Sequence, residues 1–246
     1  MLILACDTSG AACSVCLLED DFVRADAFLS VGQTHSRTFM PLLDEMIAKS
    51  GYTYAQIDCF ASTVGPGSFT GIRIGVSALK VMAMVEKKPA VPVSSLQALA
   101  FPFFSQEDTL VLPMIDARNR RVFSGAYWNG KEVIREIAGS VETLWEDCRA
   151  FLKDKDISRL LLCGNAAPDY LQEARDFGFP VRLPSFGGRD ILASSVAFLA
   201  RKKILAAGDC PARWDDAFPA TLLSPEYLAI TSAERMKAQR TRTEDE

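Results

Sequence analysis

Histidine is all but missing from this sequence: His35 is the single one among 246 residues. A metal centre built from several imidazoles is therefore excluded, and a Ser-His-Asp arrangement would have to rest on that residue alone. His35 opens a helical pattern directly after Thr34, where an imidazole more often packs or caps than moves protons. Basic residues are not in excess either. Lys and Arg number 27 against 31 Asp and Glu, for a net charge of −4, and a chain that binds nucleic acid unaided usually shows a basic face. Contact with RNA would need a local patch or a partner. There is no long apolar run. The uncharged stretch 89–106 is broken by Pro89, Pro92 and Pro102, which makes it a poor membrane span. Residues 1–7 carry no basic group and reach a carboxylate at Asp7, unlike a signal peptide, so the expected compartment is the cytoplasm.

Cysteine is present but unpaired in number. Seven residues (6, 13, 16, 59, 148, 163 and 210) in a chain with no export signal are expected to be free thiols. Cys13-x-x-Cys16 has the spacing of a metal or redox pair. It falls in a strand pattern over 12–18, where side chains three apart point to opposite faces, and no second pair has ligand spacing. Apolar residues make up 49% and charged residues 24%, the balance of a globular chain that buries a substantial core as one or two domains.

The most informative stretch is Gly65-Pro66-Gly67-Ser68-Phe69-Thr70-Gly71-Ile72-Arg73-Ile74-Gly75. An apolar run over 58–64 precedes it and reads as a buried strand; a helical pattern over 72–86 follows. Pro66 fixes its own φ and drives Gly65 out of the helical region, which ends the strand. Gly65 and Gly67 permit positive φ and close backbone approach, and Ser68 or Thr70 can cap the helix. The free N–H groups of such a helix point back over the sheet edge and can hold an anion. Gly65, Gly67 and Gly71 are spaced G-x-G-x-x-x-G, one residue off the dinucleotide pattern, and no Gly-Lys-Ser/Thr follows, so this is not a P-loop. Two readings stay open: a tight turn that joins helix to sheet, and an anion cradle.

Periodicity gives strands over 2–6, 12–18 and 22–31, and a helix over 34–50 with Pro41 inside it and Gly51 at its end. The strand at 58–64, the helix at 72–86 and a strand over 90–93 follow. The second half repeats this order, with strands at 110–115, 122–127 and 132–137, a helix at 143–153, a strand at 160–163, a helix at 168–177, a short strand at Val181 and a helix over 191–207. A duplicated βββαβα unit is the plan of the actin-like ATPase (ASKHA) α/β fold. The expected organisation is one subdomain over 1–105, a second over 106–230, and a charged, flexible tail over 231–246. A ligand cleft would lie between the halves. Asp7, Thr8 and Ser9 end its first strand, and Asp116 stands at the matching place in the second half. Those carboxylates could hold a hydrated Mg2+, or could simply end strands and satisfy turn N–H groups.

The 72–86 helix is apolar on two sides. Ile72, Val76, Leu79 and Ala83 share one face, and Ile74, Ala78, Val81 and Val85 lie opposite at about 100° per residue. The sheet covers one face. The 34–50 helix, with Phe39, Leu42, Leu43, Met46 and Ile47 on a wide arc, covers part of the other. The remainder is either buried within the chain or an exposed patch that takes a partner.

The 65–75 stretch, together with Asp7-Thr8-Ser9, the His35-Ser36 helix start and Pro113-Met114-Ile115-Asp116-Ala117-Arg118, resembles the bacterial TsaB (YeaZ) family over about residues 1–128. The resemblance implies a non-catalytic member of the ASKHA fold. In the related TsaD a metal-binding His-x-x-x-His follows the corresponding strand. Here those positions fall on Ser95 and Leu99, neither of them a good ligand, so no metal and no catalytic residue is expected. The resemblance further implies docking to TsaD through the helices at 34–50 and 71–86, with His35, Phe39, Leu43, Met46, Ile72, Val76, Leu79 and Ala83 as interface residues. With the ATPase TsaE, such a pair attaches a threonylcarbamoyl group to adenosine 37 of tRNAs that read codons starting with A. The chain would meet tRNA only through the complex and would form a homodimer when alone. It would hold no cofactor by itself, ATP and Mg2+ entering only in the complex. A competing reading is an ATP-dependent enzyme that uses Asp7, Thr8, Ser9 and Asp116, with Gly65 and Gly67 beside them. A metallopeptidase is a third reading, which the single histidine opposes.

Overall fold

The computed structural model describes residues 1–228 apart from 154, 156, 177, 179, 186, 187 and 209. The tail expected over 231–246 lies outside the described residues. Strands β1 (Leu2–Asp7), β2 (Cys13–Glu19) and β3 (Phe22–Leu29) lead into α1 (His35–Ser50), β4 (Cys59–Gly65), α2 (Phe69–Glu86) and β5 (Ala90–Ser94). A short helix, α3 (Ser95–Ala100), crosses to the second half. There β6 (Thr109–Asp116), β7 (Arg121–Trp128) and β8 (Lys131–Ser140) are followed by α4 (Val141–Leu152), β9 (Arg159–Cys163), α5 (Leu171–Arg175) and β10 (Val181–Arg182). Helices α6 (Ala193–Ala207) and α7 (Pro211–Ala217) come last. The sequence pattern contains no clear trace of α7, whose seven residues carry no sustained apolar period.

The strands form two five-stranded sheets, ordered β3-β2-β1-β4-β5 and β8-β7-β6-β9-β10. In each, the first strand pairs antiparallel with the second and parallel with the fourth. One topology used twice is the duplicated actin-like (ASKHA) α/β fold that the element order implied. Strand β1 shows why its residues read as an unbroken apolar run. Ile3 and Ala5 enter one core and Leu2, Leu4 and Cys6 the other, and a strand covered on both faces has no polar side. Helices α1 and α2 bury Phe39, Leu43, Ile72 and Leu79 against the second of these cores.

Between the two sheets lie α3 and α6. Val196, Ala197, Ala200 and Ile204 of α6 join Ile3, Ala5 and Val91 of the first sheet, together with Val111 and Leu161 of the second. The last long helix of the 106–230 stretch therefore packs against the first sheet as well. Helix α6 completes the apolar face of β1 and β2, because that face would otherwise be open on the side away from α1 and α2. Ser14 Oγ donating to Ile191 O (3.1 Å) and Lys203 Nζ donating to Pro92 O (2.7 Å) fasten it there.

Helix α1 runs through Pro41, whose side chain is exposed, and stops at Gly51, which adopts φ 78°. That left-handed value is where a residue without Cβ ends a helix at little cost. All seven cysteines are free; six are buried and Cys210 is exposed. Cys13 and Cys16 enter opposite cores, as strand alternation requires. Among the described residues no helix is long and apolar enough to cross a membrane.

Candidate functional site

The Gly-Pro-Gly turn joins β4 to α2, and Ser68 rather than Thr70 caps the helix, its Oγ accepting from the Gly71 N–H at 3.2 Å. The loop that follows β1 lies directly against this turn. Thr8 Oγ1 donates to Gly71 O (2.7 Å) and the Ser68 N–H donates to Ser9 O (2.7 Å). The glycines are what allow the approach. A Cβ at Gly71 would stand 2.1 Å from Thr8 O, at Gly67 2.5 Å from Ser9 O, and at Gly75 2.6 Å from Thr8 Oγ1. At Gly65 it would meet Glu226 O at 2.3 Å, because the C-terminal segment passes over the turn and the Glu226 N–H donates to Val64 O (2.7 Å).

Asp7 sits at the centre of this knot, 1% exposed. Its Oδ1 accepts from the Ser9 N–H (3.1 Å), the Ser9 hydroxyl (2.6 Å) and the Thr63 hydroxyl (2.6 Å). Burial pushes its carboxyl above the ordinary carboxylate range, and those donors pull it back in part. The expected cleft residues Asp7, Thr8, Ser9, Gly65, Gly67 and Asp116 fall in two groups. The first five pack against one another and against the chain's own backbone. Asp116 is exposed and closes its own turn, accepting from the Arg118 N–H (2.7 Å) while its N–H donates to Asn165 Oδ1 (3.0 Å). No hydrogen bond links it to Asp7. His35 packs against the same turn: Nε2 lies 2.9 Å from Gly10 O, and its ring, with the Ser68 side chain, flanks Gly71.

Gly71→Ala measures how tight the knot is. Alanine contributes about 1 kcal/mol over glycine within a helix, but forcing Thr8 aside should cost about 1–3 kcal/mol more than that gain, as overpacking does. The expected result is a thermal midpoint lowered by several degrees. Gly10→Ala, with nothing within 4 Å of the added methyl, should leave it unchanged.

The interface residues expected on α1 and α2 are corrected. Phe39, Leu43, Met46, Ile72, Val76, Leu79 and Ala83 are all buried in the chain's own core. They face the sheet, and none is available to a partner. Gly71 and Gly75 face Thr8 and Cys6 rather than an incoming helix. The free side of α2 is the opposite one, where Val81 is 59%, Met84 49% and Val85 71% exposed. Ser77 and the half-buried Ala78 leave low ground in the middle of this side. At its N-terminal end Phe69 stacks on Tyr227 (centroids 5.2 Å apart), and the Arg73 guanidinium lies 3.8 Å from the Phe69 ring centre while its Nε donates to Tyr227 Oη at 2.9 Å. Lys80 Nζ holds the same segment through Thr221 O (2.6 Å) and Leu223 O (3.0 Å). Periodicity had marked Val81 and Val85 as an apolar face but could not tell which face the sheet takes; the aromatic clasp at Tyr227 spans 154 positions between Arg73 and Tyr227 and has no local signal.

Ser95 and Leu99 lie on α3 and are buried. Leu99 closes on Gly164, and among the described residues the Ser95 hydroxyl has no hydrogen-bond partner. A methyl-tipped side chain and one neutral hydroxyl are a weak donor set for a metal ion.

A family model described as "TsaD: tRNA N6-adenosine threonylcarbamoyltransferase" matches residues 30–142. The chain is 28% identical over 235 residues to the tRNA threonylcarbamoyladenosine biosynthesis protein TsaB of Bacillus subtilis (strain 168), covering 95% of this chain and 96% of that one. To the protein of the same description from Escherichia coli (strain K12) it is 35% identical over 140 residues, which is 54% of this chain and 60% of the relative. Among solved structures, YeaZ from Pseudomonas aeruginosa superposes with a TM-score of 0.70 at 24% identity, covering 92% of this chain and 99% of that one. This last likeness speaks to the fold.

Proposed function

The chain belongs to the TsaB (YeaZ) family, and from that premise we propose that it is a subunit of tRNA threonylcarbamoyladenosine biosynthesis that carries no active site of its own. Its task is to dock and activate a TsaD-like catalytic chain, with a TsaE-like ATPase as a third component. The observation that carries this reading is the exposed apolar row Val81, Met84 and Val85 on α2. A contiguous apolar row left open on a helix is best explained by a partner, and a standard interface needs only about 800 Å2 from each side. The TsaD-described model covers the stretch that holds both α1 and α2. Two chains built on the same helix pair can bring equivalent faces together around a pseudo-twofold axis, and by the same logic the chain pairs with itself when no partner is present.

The Asp7 loop supports a non-catalytic reading of this chain, since its polar atoms are engaged in closing the Gly-Pro-Gly turn. ATP and Mg2+ belong in this proposal to the complex, and tRNA is met through it, in keeping with a net charge of −4. The test is molar mass by light scattering, for the chain alone and mixed with its TsaD-like partner. A defined heterodimer that forms at the expense of homodimer is the expected result. A strict monomer with no affinity for the partner would overturn the reading.

A further inference from the structure

The C-terminal segment carries the most exposed large apolar side chain among the described residues, Leu222 at 73%. The segment itself is firmly held. Ala220 and Leu223 pack against the core that α1 and α2 cover, and Leu223 is buried outright. The Glu226 N–H donates to Val64 O (2.7 Å), and Tyr227 Oη accepts from Arg73 Nε (2.9 Å). Lys80 adds a further tie: its Nζ donates to Thr221 O at 2.6 Å and to Leu223 O at 3.0 Å. Residues Ala220–Leu222 form a short 3-10 turn, and the carbonyls at such an end lack the donors a longer helix would supply, so an ammonium group suits them. Arg73 and Lys80 stand two helical turns apart, about 10.5 Å. An extended chain from Leu223 to Tyr227 covers about 13 Å. The segment therefore lies lengthwise along α2 and antiparallel to it.

Leu222 is the residue between the two carbonyls that Lys80 holds. Although fastened on both sides, it points away from the core that takes Leu223. A lone exposed leucine carries no message, but Leu222 has company. Val81 follows Lys80 directly, and Met84 lies one turn further along the same side of α2; both are exposed. Leu222 thus extends the row Val81, Met84 and Val85, and the apolar patch spans two elements rather than one. Residues 220–228 lie outside the stretch that the TsaD-described model matches, so the segment sets the two sides of such a pair apart.

We infer that Leu222 is an anchor of the docking surface for the TsaD-like chain and that Lys80 is the positioning residue that presents it. The inference rests on the docking role proposed for α2 and adds a second element to that surface. Lys80 and the buried Leu223 hold this end of the segment independently of the clasp at Tyr227.

The experiment is calorimetric titration of the full chain with its TsaD-like partner, each variant being checked by its thermal melt. Leu222→Ser should weaken binding at least about tenfold, as loss of an interface anchor does. Its melt should match the parent, since the position is exposed. Lys80→Met keeps the aliphatic stem and removes the donor. It should weaken binding about three- to tenfold, as loss of hydrogen bonds to a charged group does, and should speed amide exchange at residues 221–223 of the free chain. Lys80→Arg supplies a donor again and should recover most of that affinity. In the Leu222→Ser background Lys80→Met should cost little more, because residues acting through one contact are not additive. A parent chain that binds, with Leu222→Ser binding equally well, would overturn the inference and leave the α2 reading standing. A Lys80→Met loss that persists in full in the Leu222→Ser background would overturn the positioning role. A parent chain with no affinity for the partner would overturn both readings.

Discussion

Val76→Glu is expected to leave no folded protein. Val76 is 2% exposed on the side of α2 that faces the sheet. Replacing it forfeits about 1.5–3 kcal/mol of apolar burial. It also places a carboxylate in the apolar cluster that holds Leu79, Phe39 and Ile72. An unpaired buried charge costs several kcal/mol more, or forces the group to take up a proton. Whole domains are stable by only about 5–15 kcal/mol, so the sum removes most or all of the margin. Circular dichroism and the yield of soluble protein are the readouts: loss of the cooperative melt is expected. A variant that melts near the parent while failing to bind a partner would put Val76 on the surface and reverse the assignment of faces on α2.

That assignment marks where sequence reasoning stopped short. The two apolar faces of α2 were legible, because a 3.6-residue period is written into the order Ile72, Val76, Leu79, Ala83 and its counterpart Ile74, Ala78, Val81, Val85. Which face meets the sheet depends on the rotation of α2 about its axis, and that is set by the Gly71 and Gly75 contacts with Thr8. Similarly, the spacing of Gly65, Gly67 and Gly71 announced a close backbone approach but not what approaches. The answer, Ser9 from the first loop and Glu226 from the C-terminal segment, lies far away in the chain. The duplicated strand order was readable from alternation and apolar runs, since those report local burial. The return of α6 to the first sheet was not, because an apolar helix is equally at home on either sheet. Glu136 looks in the sequence like any charged residue of an exposed strand; its partners Ser94 and Tyr127 stand 42 and 9 positions away and leave no local signal.

The double variant Val81→Glu and Val85→Glu is expected to do the opposite of Val76→Glu: the fold stays and the partner is lost. Both positions are exposed, and surface substitutions away from buried features usually fall within about 0.5 kcal/mol of neutral. Glutamate is moreover a better helix former than valine, so the melting temperature should hold or rise slightly. At a docked interface the same side chains would be desolvated, and two carboxylates in an apolar seam would lack counter-charges. Central apolar anchors of interfaces commonly carry 2 kcal/mol or more each, and about 1.4 kcal/mol is a factor of ten in Kd. Loss of at least about a thousandfold in affinity for the TsaD-like chain follows if both act as anchors. Light scattering would then show monomer where the parent forms heterodimer, and would show it for the homodimer as well, since both use one surface. Arg73→Ala separates the α2 row from the aromatic clasp. It frees Tyr227 without touching Val81 or Val85, so heterodimer formation should survive it if the row carries the binding. If Arg73→Ala abolishes pairing while the double variant retains it, the docking surface is the clasp formed by Phe69, Arg73 and Tyr227, and the exposed row on α2 must be explained some other way.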